Sequence, residues 1–250
     1  MLRWFRADLH VHTCLSPCAD LTMSPKRIVM KARDKKLDII GITDHNSAEN
    51  VEATIRAANE QEIKVLCGME IGSVEEAHVI ALFDTAAAAL ELQSKVYEHL
   101  TPGENRDGIF GEQIIANEFD EVEGYNKRLL IGATTMTLSD IVKEIHVRGG
   151  ITIASHIDRE SFSIIGQLGF IPPDLELDAL EISAHAQKDE TLKQFPDVAR
   201  FPSITASDAH FLDDIGMATT SFLLAEPTIS EIRMALRSEN GRKVEIDEGK

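Results

Sequence analysis

Nine histidines are spread over 250 residues, and six of them stand at or beside short apolar runs in company with acids. His10-Val11-His12 is the first group. Residues two apart on a strand point to one side, so both imidazoles could grip a single cation. Thr43-Asp44-His45 ends a second apolar run and Gly68-Met69-Glu70 a third. His78 opens Val79–Phe83, His156 closes Ile151-Thr152-Ile153-Ala154-Ser155, and Asp208-Ala209-His210 closes Ile204-Thr205-Ala206-Ser207. One His or Glu beside a strand is more often structural than catalytic. The whole set at strand ends is poorly explained by independent accident. Neutral imidazoles and carboxylates suit borderline ions such as zinc, manganese or ferrous iron. Two or more such ions about 4 Å apart can hold a bridging hydroxide and clamp phosphoryl oxygens.

The elements that must position these groups follow a βαβα rhythm, which implies a parallel sheet or barrel. Strands are expected near Arg6–His12, Asp38–Asp44, Lys64–Ile71, His78–Phe83, Gly150–His156, Ala179–Ser183, Ser203–Ser207 and Thr220–Leu224. Continuous runs such as Ile39-Ile40-Gly41-Ile42 suit strands buried on both faces. Ser24-Pro25 reads as the start of a helix over Lys26–Lys36. Thr228 with Glu231 forms a capping box before Ile232–Leu236. Ser139 is expected to cap Asp140–Arg148, which Gly149-Gly150 would end, and Thr85–Leu100 is Ala-rich and helical. A barrel gathers its functional groups at one mouth, where most of the candidates fall.

Residues 101–129 interrupt the rhythm. They carry Glu104, Asp107, Glu112, Glu118, Asp120, Glu121 and Glu123 among several glycines. An excursion this long is expected to be a lid or a solvated acidic loop. Otherwise the chain reads as a single barrel domain over residues 1–250.

Composition narrows the partners. Forty-two acids against 25 bases leave a net charge of −17, which disfavours tracking along duplex nucleic acid but not a small phosphorylated substrate, since bound cations reverse the local field. Hydrophobic residues, at 43%, suffice for a substantial core. No apolar run approaches the ~20 residues needed to span a bilayer, and Met1-Leu2-Arg3-Trp4-Phe5-Arg6 turns polar too soon for a signal peptide. Cys14, Cys18 and Cys67 make no disulfide framework. Cys14 and Cys18 could form a sparse metal clip, but with no second cysteine pair to complete a site the three read as free thiols in a reducing cytoplasm.

Asp8-Leu9-His10-Val11-His12-Thr13, Ile42-Thr43-Asp44-His45-Asn46 and Ser207-Asp208-Ala209-His210, with Glu70, His78 and Ser155-His156, together resemble the PHP (polymerase and histidinol phosphatase) family. The resemblance runs from residue 8 to residue 210 in matching order and spacing. It implies a distorted (β/α)7 barrel holding three divalent metals (zinc, manganese or iron) and a metal-dependent phosphoesterase. It further implies that His10, His12, Glu70 and Asp208 hold the first ion, and Asp20, His45 and His210 the second. His78 and His156 would hold the third, with Glu70 bridging. Some family members have His at the position that Asp20 occupies in this chain.

Around these ligands, Asp8 is expected to accept an imidazole N–H, and Asp44 to do the same or to cap its turn. Arg159 is the preferred phosphate clamp, because a guanidinium forks onto two oxygens, and Asp208 can also take a proton. His99 is explained by a helix dipole; His146 has no partner motif, and His185 is not taken as a ligand. Ile164–Pro173 reads as an irregular wall beside the site. The expected reaction is hydrolysis of a small phosphomonoester, such as a nucleotide or a 5′-phosphorylated short oligonucleotide, by a metal-bridging hydroxide. The alternatives are a histidinol-phosphate phosphatase, amide-bond hydrolysis, and a non-catalytic metal- and nucleotide-binding module.

Overall fold

Apolar, β-branched stretches with no polar face form the sheet. In the computed structural model, which describes residues 1–184, 186 and 195–247, β1 spans Arg3–Val11, α1 Pro25–Asp34, β2 Ile39–Ile42, α2 Val51–Ala58 and β3 Lys64–Gly72. Then come β4 (His78–Phe83), α3 (Ala86–His99), α4 (Asp107–Phe110), β5 (Ile114–Ala116), β6 (Val122–Tyr125) and α5 (Leu138–Val147). They are followed by β7 (Ile151–Ala154), α6 (Ile164–Leu168), β8 (Ala179–Ile182), β9 (Ser203–Thr205), β10 (Thr220–Leu224), α7 (Ile229–Leu236) and β11 (Lys243–Ile246). His185 lies outside the described residues.

Nine strands share a sheet in the order β11-β10-β1-β2-β3-β4-β7-β8-β9. The seven from β1 round to β9 wall a distorted β/α barrel, as expected. A hydroxyl closes it in place of a ladder: Thr220 Oγ1 accepts from Thr205 N at 2.9 Å and donates to Thr205 O at 2.8 Å. Towards the mouth, His12 N donates to Ala209 O at 3.0 Å and Ala209 N to His10 O at 3.1 Å.

The sheet is mixed. β1–β2, β2–β3, β7–β8 and β8–β9 pair in parallel, whereas β4 is antiparallel to both β3 and β7. Only residues 73–77 separate β3 from β4, far short of the dozen or more that a parallel crossover needs. The reversal brings the first residue of β4, His78, to the mouth where the parallel strands finish.

An apolar plug of Phe5, Ala7, Leu9, Leu66, Ile80, Leu82, Ile153, Ile204 and Phe222 lies on the strand faces that carry Glu70, His78 and Glu181 further along. A second core, including Ile28, Val29, Val51, Leu92, Val96, Ile141 and Ile145, packs the helices on the strands. Thr228 caps α7, accepting from Glu231 N at 3.3 Å, but the expected capping box is only half made, because the Glu231 carboxylate accepts from Ala225 N at 2.7 Å. For α5 the cap is Thr137, not Ser139: its hydroxyl accepts from Asp140 N at 3.1 Å, and the Asp140 carboxylate accepts from Thr137 N.

Residues 101–129 fold into α4 and the β5–β6 hairpin, which is fastened to the loops after β1 and β2. Ile114 N donates to Cys14 O at 2.8 Å, Ala116 N to Asn50 Oδ1 at 3.0 Å and Ser24 Oγ to Asp120 at 2.6 Å.

Candidate metal centre

Each candidate arrives at the mouth for a local reason. The β1–β2 register shifts between Asp8 and Val11. Such irregularities change which face a side chain takes. Ala7 and Leu9 pack into the plug, yet His10 and His12, fully buried, reach the cluster of acids beyond it. Glu70 sits in β3 and is joined to His45 by an isolated bridge. His156 and Asp208 follow β7 and β9 with positive φ of 29° and 51°, a backbone region bulky residues seldom enter. Strain of this kind, about 1–3 kcal/mol per residue, gathers at functional sites.

The geometry centres on two carboxylates. Glu70 Oε1 lies 3.1 Å from His78 Nδ1, 3.2 Å from His156 Nε2 and 3.5 Å from His10 Nε2. Its Oε2 lies 3.2 Å from His45 Nδ1 and 3.6 Å from His12 Nε2. Asp208 Oδ1 is 3.3 Å from His10 Nε2, 3.2 Å from His12 Nε2 and 3.6 Å from His210 Nδ1. Among the described residues, three overlapping sets have donor atoms within 4.8 Å of one another: His10, His12 and Asp208; His12, His45 and His210; and His45, Glu70 and His78.

These donors fit divalent ions. Glu70 Oε1, His78 Nδ1 and His156 Nδ1 are buried without a hydrogen-bond partner, a costly state unless something else satisfies them. With metal–nitrogen bonds of about 2.0–2.1 Å, the edge of a tetrahedral site is about 3.4 Å, and the donor separations around Glu70 and Asp208 cluster at that length.

Charge points the same way. Burial opposes ionisation of Glu70, yet His78 and His10 hold it well below the usual carboxylate range. Burial likewise opposes ionisation of Asp208, and His10 and His12 overcome it in the same direction. Burial and the His210 ring push His12 down to about 4, and burial carries His45 well below its ordinary value against the pull of Glu70. His10 moves upward despite its burial, because Glu181, Asp208 and Glu70 surround it. The proton it keeps stands in for part of a cation's charge.

The hydrogen bonds behind the cluster fix its tautomers. His10 Nδ1 meets both oxygens of Glu181 at 2.9 and 3.1 Å, so it carries hydrogen and leaves Nε2 to the cluster. Ser16 Oγ gives its hydrogen to Asp44 at 2.7 Å and therefore accepts from His12 Nδ1 at 2.9 Å. His210 Nδ1 donates to Asp208 O at 2.8 Å, leaving Nε2 as an acceptor. Asp44 thus acts through Ser16, and burial pushes its carboxyl up to about 6. Asp8 does not hold an imidazole: on the far side of the register shift it accepts from Ser207 N and Oγ and from Gly216 N. Glu181 has that role instead. Its one sequence signal was a carboxylate inside the apolar run Ala179-Leu180-Glu181-Ile182.

Two residues of the loop after β1 lie differently from expectation. The Asp20 carboxylate closes its own turn, accepting from Thr22 N at 2.8 Å and Thr22 Oγ1 at 2.5 Å, and it joins none of the donor sets. Cys18, read as a free thiol, places Sγ 3.1 Å from His210 Nε2. Arg159 is half-exposed at the rim, with Nη2 2.7 Å from Asp208 Oδ2. Among the remaining histidines, His146 is tied to Asp178 at 2.9 Å, and His99 bonds to Lys95 O within α3.

Comparison with known proteins agrees with this geometry. A model of the PHP domain matches residues 8–171, and one described as PHP-associated matches residues 193–240. An uncharacterised protein of Methanocaldococcus jannaschii is 25% identical over 168 residues, which is 56% of this chain and 93% of that one. The lesion-specific endonuclease Q of Pyrococcus furiosus superposes with a TM-score of 0.72 at 17% identity, over 97% of this chain. The chain spans only 58% of the length of that endonuclease. PsfC of Pseudomonas syringae superposes with a TM-score of 0.59 at 16% identity, covering 98% of this chain and 92% of PsfC.

Proposed function

The chain belongs to the PHP family of metal-dependent hydrolases, and from that premise we propose that it hydrolyses a small phosphomonoester, such as a nucleotide or the 5′-phosphate of a short oligonucleotide. One observation carries the reading: Glu70 Oε1 is buried and lacks a hydrogen bond, yet three imidazole nitrogens lie within 3.5 Å of it.

In this reading His10, His12, Glu70 and Asp208 would hold one ion. His45 and His210 would hold a second, with Cys18 taking the place expected of Asp20. His78 and His156, with Glu70, would hold a third. Bound zinc, manganese or iron would supply Lewis acidity to phosphoryl oxygens and bring the pKa of water towards neutrality. In the bare protein, neighbouring groups that shield its sulfur from water, together with the Glu70 charge, push the Cys18 thiol up to about 12. Its service as a ligand therefore requires losing that proton as a cation enters.

The rest belongs to the protein. Arg159 spends one donor on Asp208 and offers its remaining fork to the phosphoryl oxygens, where charge grows in the transition state. The imidazoles hold Asp208 well below the usual carboxylate range, so it stays ionised as ligand and as anchor for Arg159 and is a weak acceptor for a proton released at the mouth. The thiols of Cys14, Cys18 and Cys67 are free, which favours a reducing cytoplasm. No helix among the described residues is long and apolar enough to cross a membrane.

A second reading, incision of a nucleic-acid strand, is favoured by the likeness to endonuclease Q, whose structure has also been determined with a 27-mer duplex bearing an abasic lesion. The net charge of −17 weighs against it, since duplex binding leans on phosphate neutralisation. Metal-stripped protein, given back manganese, zinc or iron, should be assayed on nucleotides, histidinol phosphate, 5′-phosphorylated oligonucleotides and a lesion-bearing duplex. Release of phosphate from the monoesters is expected. Strand cutting without monoester turnover would replace the first reading with the second. No turnover at all by folded, metal-loaded protein would leave a binding module.

A further inference from the structure

Phe162 adopts a φ of 61°, where a bulky side chain is seldom found. Its surroundings impose that conformation. His78 N donates to Phe162 O at 2.9 Å. Ser163 gives its hydroxyl to Arg159 O at 2.6 Å and accepts from Gly166 N at 2.8 Å. Gly166 lies so close to the same loop that a Cβ there would stand 2.4 Å from Glu160 O and 2.9 Å from Arg159 O. A loop fastened this way carries two side chains to the metal centre. Arg159 reaches Asp208, and the Phe162 ring lies nearly parallel to the His78 imidazole, 4.9 Å between centroids and 20° between planes.

One face of the ring is therefore occupied, while the residue as a whole remains 50% exposed. Core packing does not account for it, because Phe162 belongs to none of the hydrophobic clusters of the described residues. A simple cover for His78 would be met by an aliphatic side chain in ordinary backbone geometry. A flat, half-exposed ring, backed by an imidazole and three residues along the chain from the arginine that reaches Asp208, is the arrangement that receives another flat ring.

We propose that Phe162 is a stacking platform for a planar heteroaromatic ring, such as a nucleobase or an imidazole, in the organic part of the phosphate ester. The inference rests on the phosphoesterase reading: Arg159 meets the phosphoryl end while Phe162 receives the ring. It makes the loop a specificity element, since an ester lacking the ring keeps only the phosphate contacts.

Ribose 5-phosphate has a hydroxyl where adenosine 5′-monophosphate has its base, so the ratio of the two reports on the ring. Calorimetric Kd values and kcat/KM are measured for both on metal-loaded protein, with histidinol phosphate as a third arm to distinguish purine from imidazole. Wild type should favour a ring-bearing ester over ribose 5-phosphate by about 5- to 150-fold. Phe162→Leu should bring that ratio to about one, and Phe162→Trp should retain it. The ratio cancels any general loss of metal, and if the Leu variant fails to fold, the wild-type ratio still decides whether a ring is preferred. A wild type indifferent to the ring, or a folded Leu variant with the wild-type ratio, overturns the platform. Preferential binding of the ring-bearing ester without hydrolysis of any ester would instead sink the phosphoesterase reading and leave the platform standing.

Discussion

Glu181 offers the sharpest handle on the centre, because it touches His10 without belonging to any of the donor sets. Glu181→Gln keeps size and one acceptor oxygen but removes a buried negative charge 2.9 Å from His10 Nδ1. Two effects then compete. The imidazole becomes a poorer donor to a cation, which weakens binding, and it also holds its own proton less tightly, which eases binding. A divalent ion feels the lost charge about twice as strongly as a proton does, so weakening should win. Losses of partners behind a ligand usually reduce metal affinity by about 10–100-fold, or about 1.4–2.7 kcal/mol. The sign of the pH effect follows from His10, whose value is raised by Glu181, Asp208 and Glu70. A cation must displace that proton, so apparent affinity climbs as pH rises through the elevated value, and in the variant the climb should shift to lower pH. Competition with a fluorescent chelator from pH 5 to 9, on stripped protein checked by circular dichroism, measures both quantities. A folded Gln variant that binds the full complement of metal within twofold of wild type, with the same pH profile, refutes the reasoning.

Other perturbations test neighbouring parts. Cys18→Ser should weaken zinc more than manganese at the His45–His210 position, since thiolate favours the softer ion; equal losses for both metals would remove Cys18 from the ligand set. Gly166→Ala must displace the loop carrying Arg159, so kcat/KM should fall at least tenfold while metal content stays at the wild-type level, as plasma emission spectroscopy would show. Away from the mouth, burial opposes ionisation of Asp178, but His146, Thr152 N and Arg233 hold its carboxyl below the ordinary value. The stability this supplies is present above the unfolded carboxyl value and is lost as pH falls through the folded one. Asp178→Asn should therefore cost about 1.5–3 kcal/mol near neutrality, by denaturant melts, and progressively less in acid; a cost independent of pH would contradict the ion pairing.

What the sequence disclosed follows from the reach of its rules. His10 and His12 were legible because strand alternation fixes side-chain direction over two residues. His45, Glu70, His156 and Asp208 were legible because parallel strands deliver their ends to one mouth. The antiparallel course of β4 was not legible from apolar runs, although it is what brings His78 there. Alternation also misplaced Asp8, because a register shift inside β1 changes the phase, and so the buried carboxylate behind His10 turned out to be Glu181. Loops obey no such period. Asp20 and Cys18 are two residues apart, and only their turn chemistry shows that the carboxylate is consumed locally by Thr22 while the thiol faces His210. The acidic run at 101–129 suggested a lid or a solvated loop, yet the short apolar run Ile114-Ile115-Ala116 lets it pair as a hairpin.

The most direct test is a crystal structure of the manganese- or zinc-loaded protein with data collected on either side of the metal absorption edge. Anomalous peaks should fall among His10, His12, His45, Glu70, His78, His156, Asp208 and His210, with a peak adjoining Cys18 Sγ and none on the Asp20 carboxylate. Peaks confined to surface acids, with these imidazoles turned away from any ion, would contradict the account at its root.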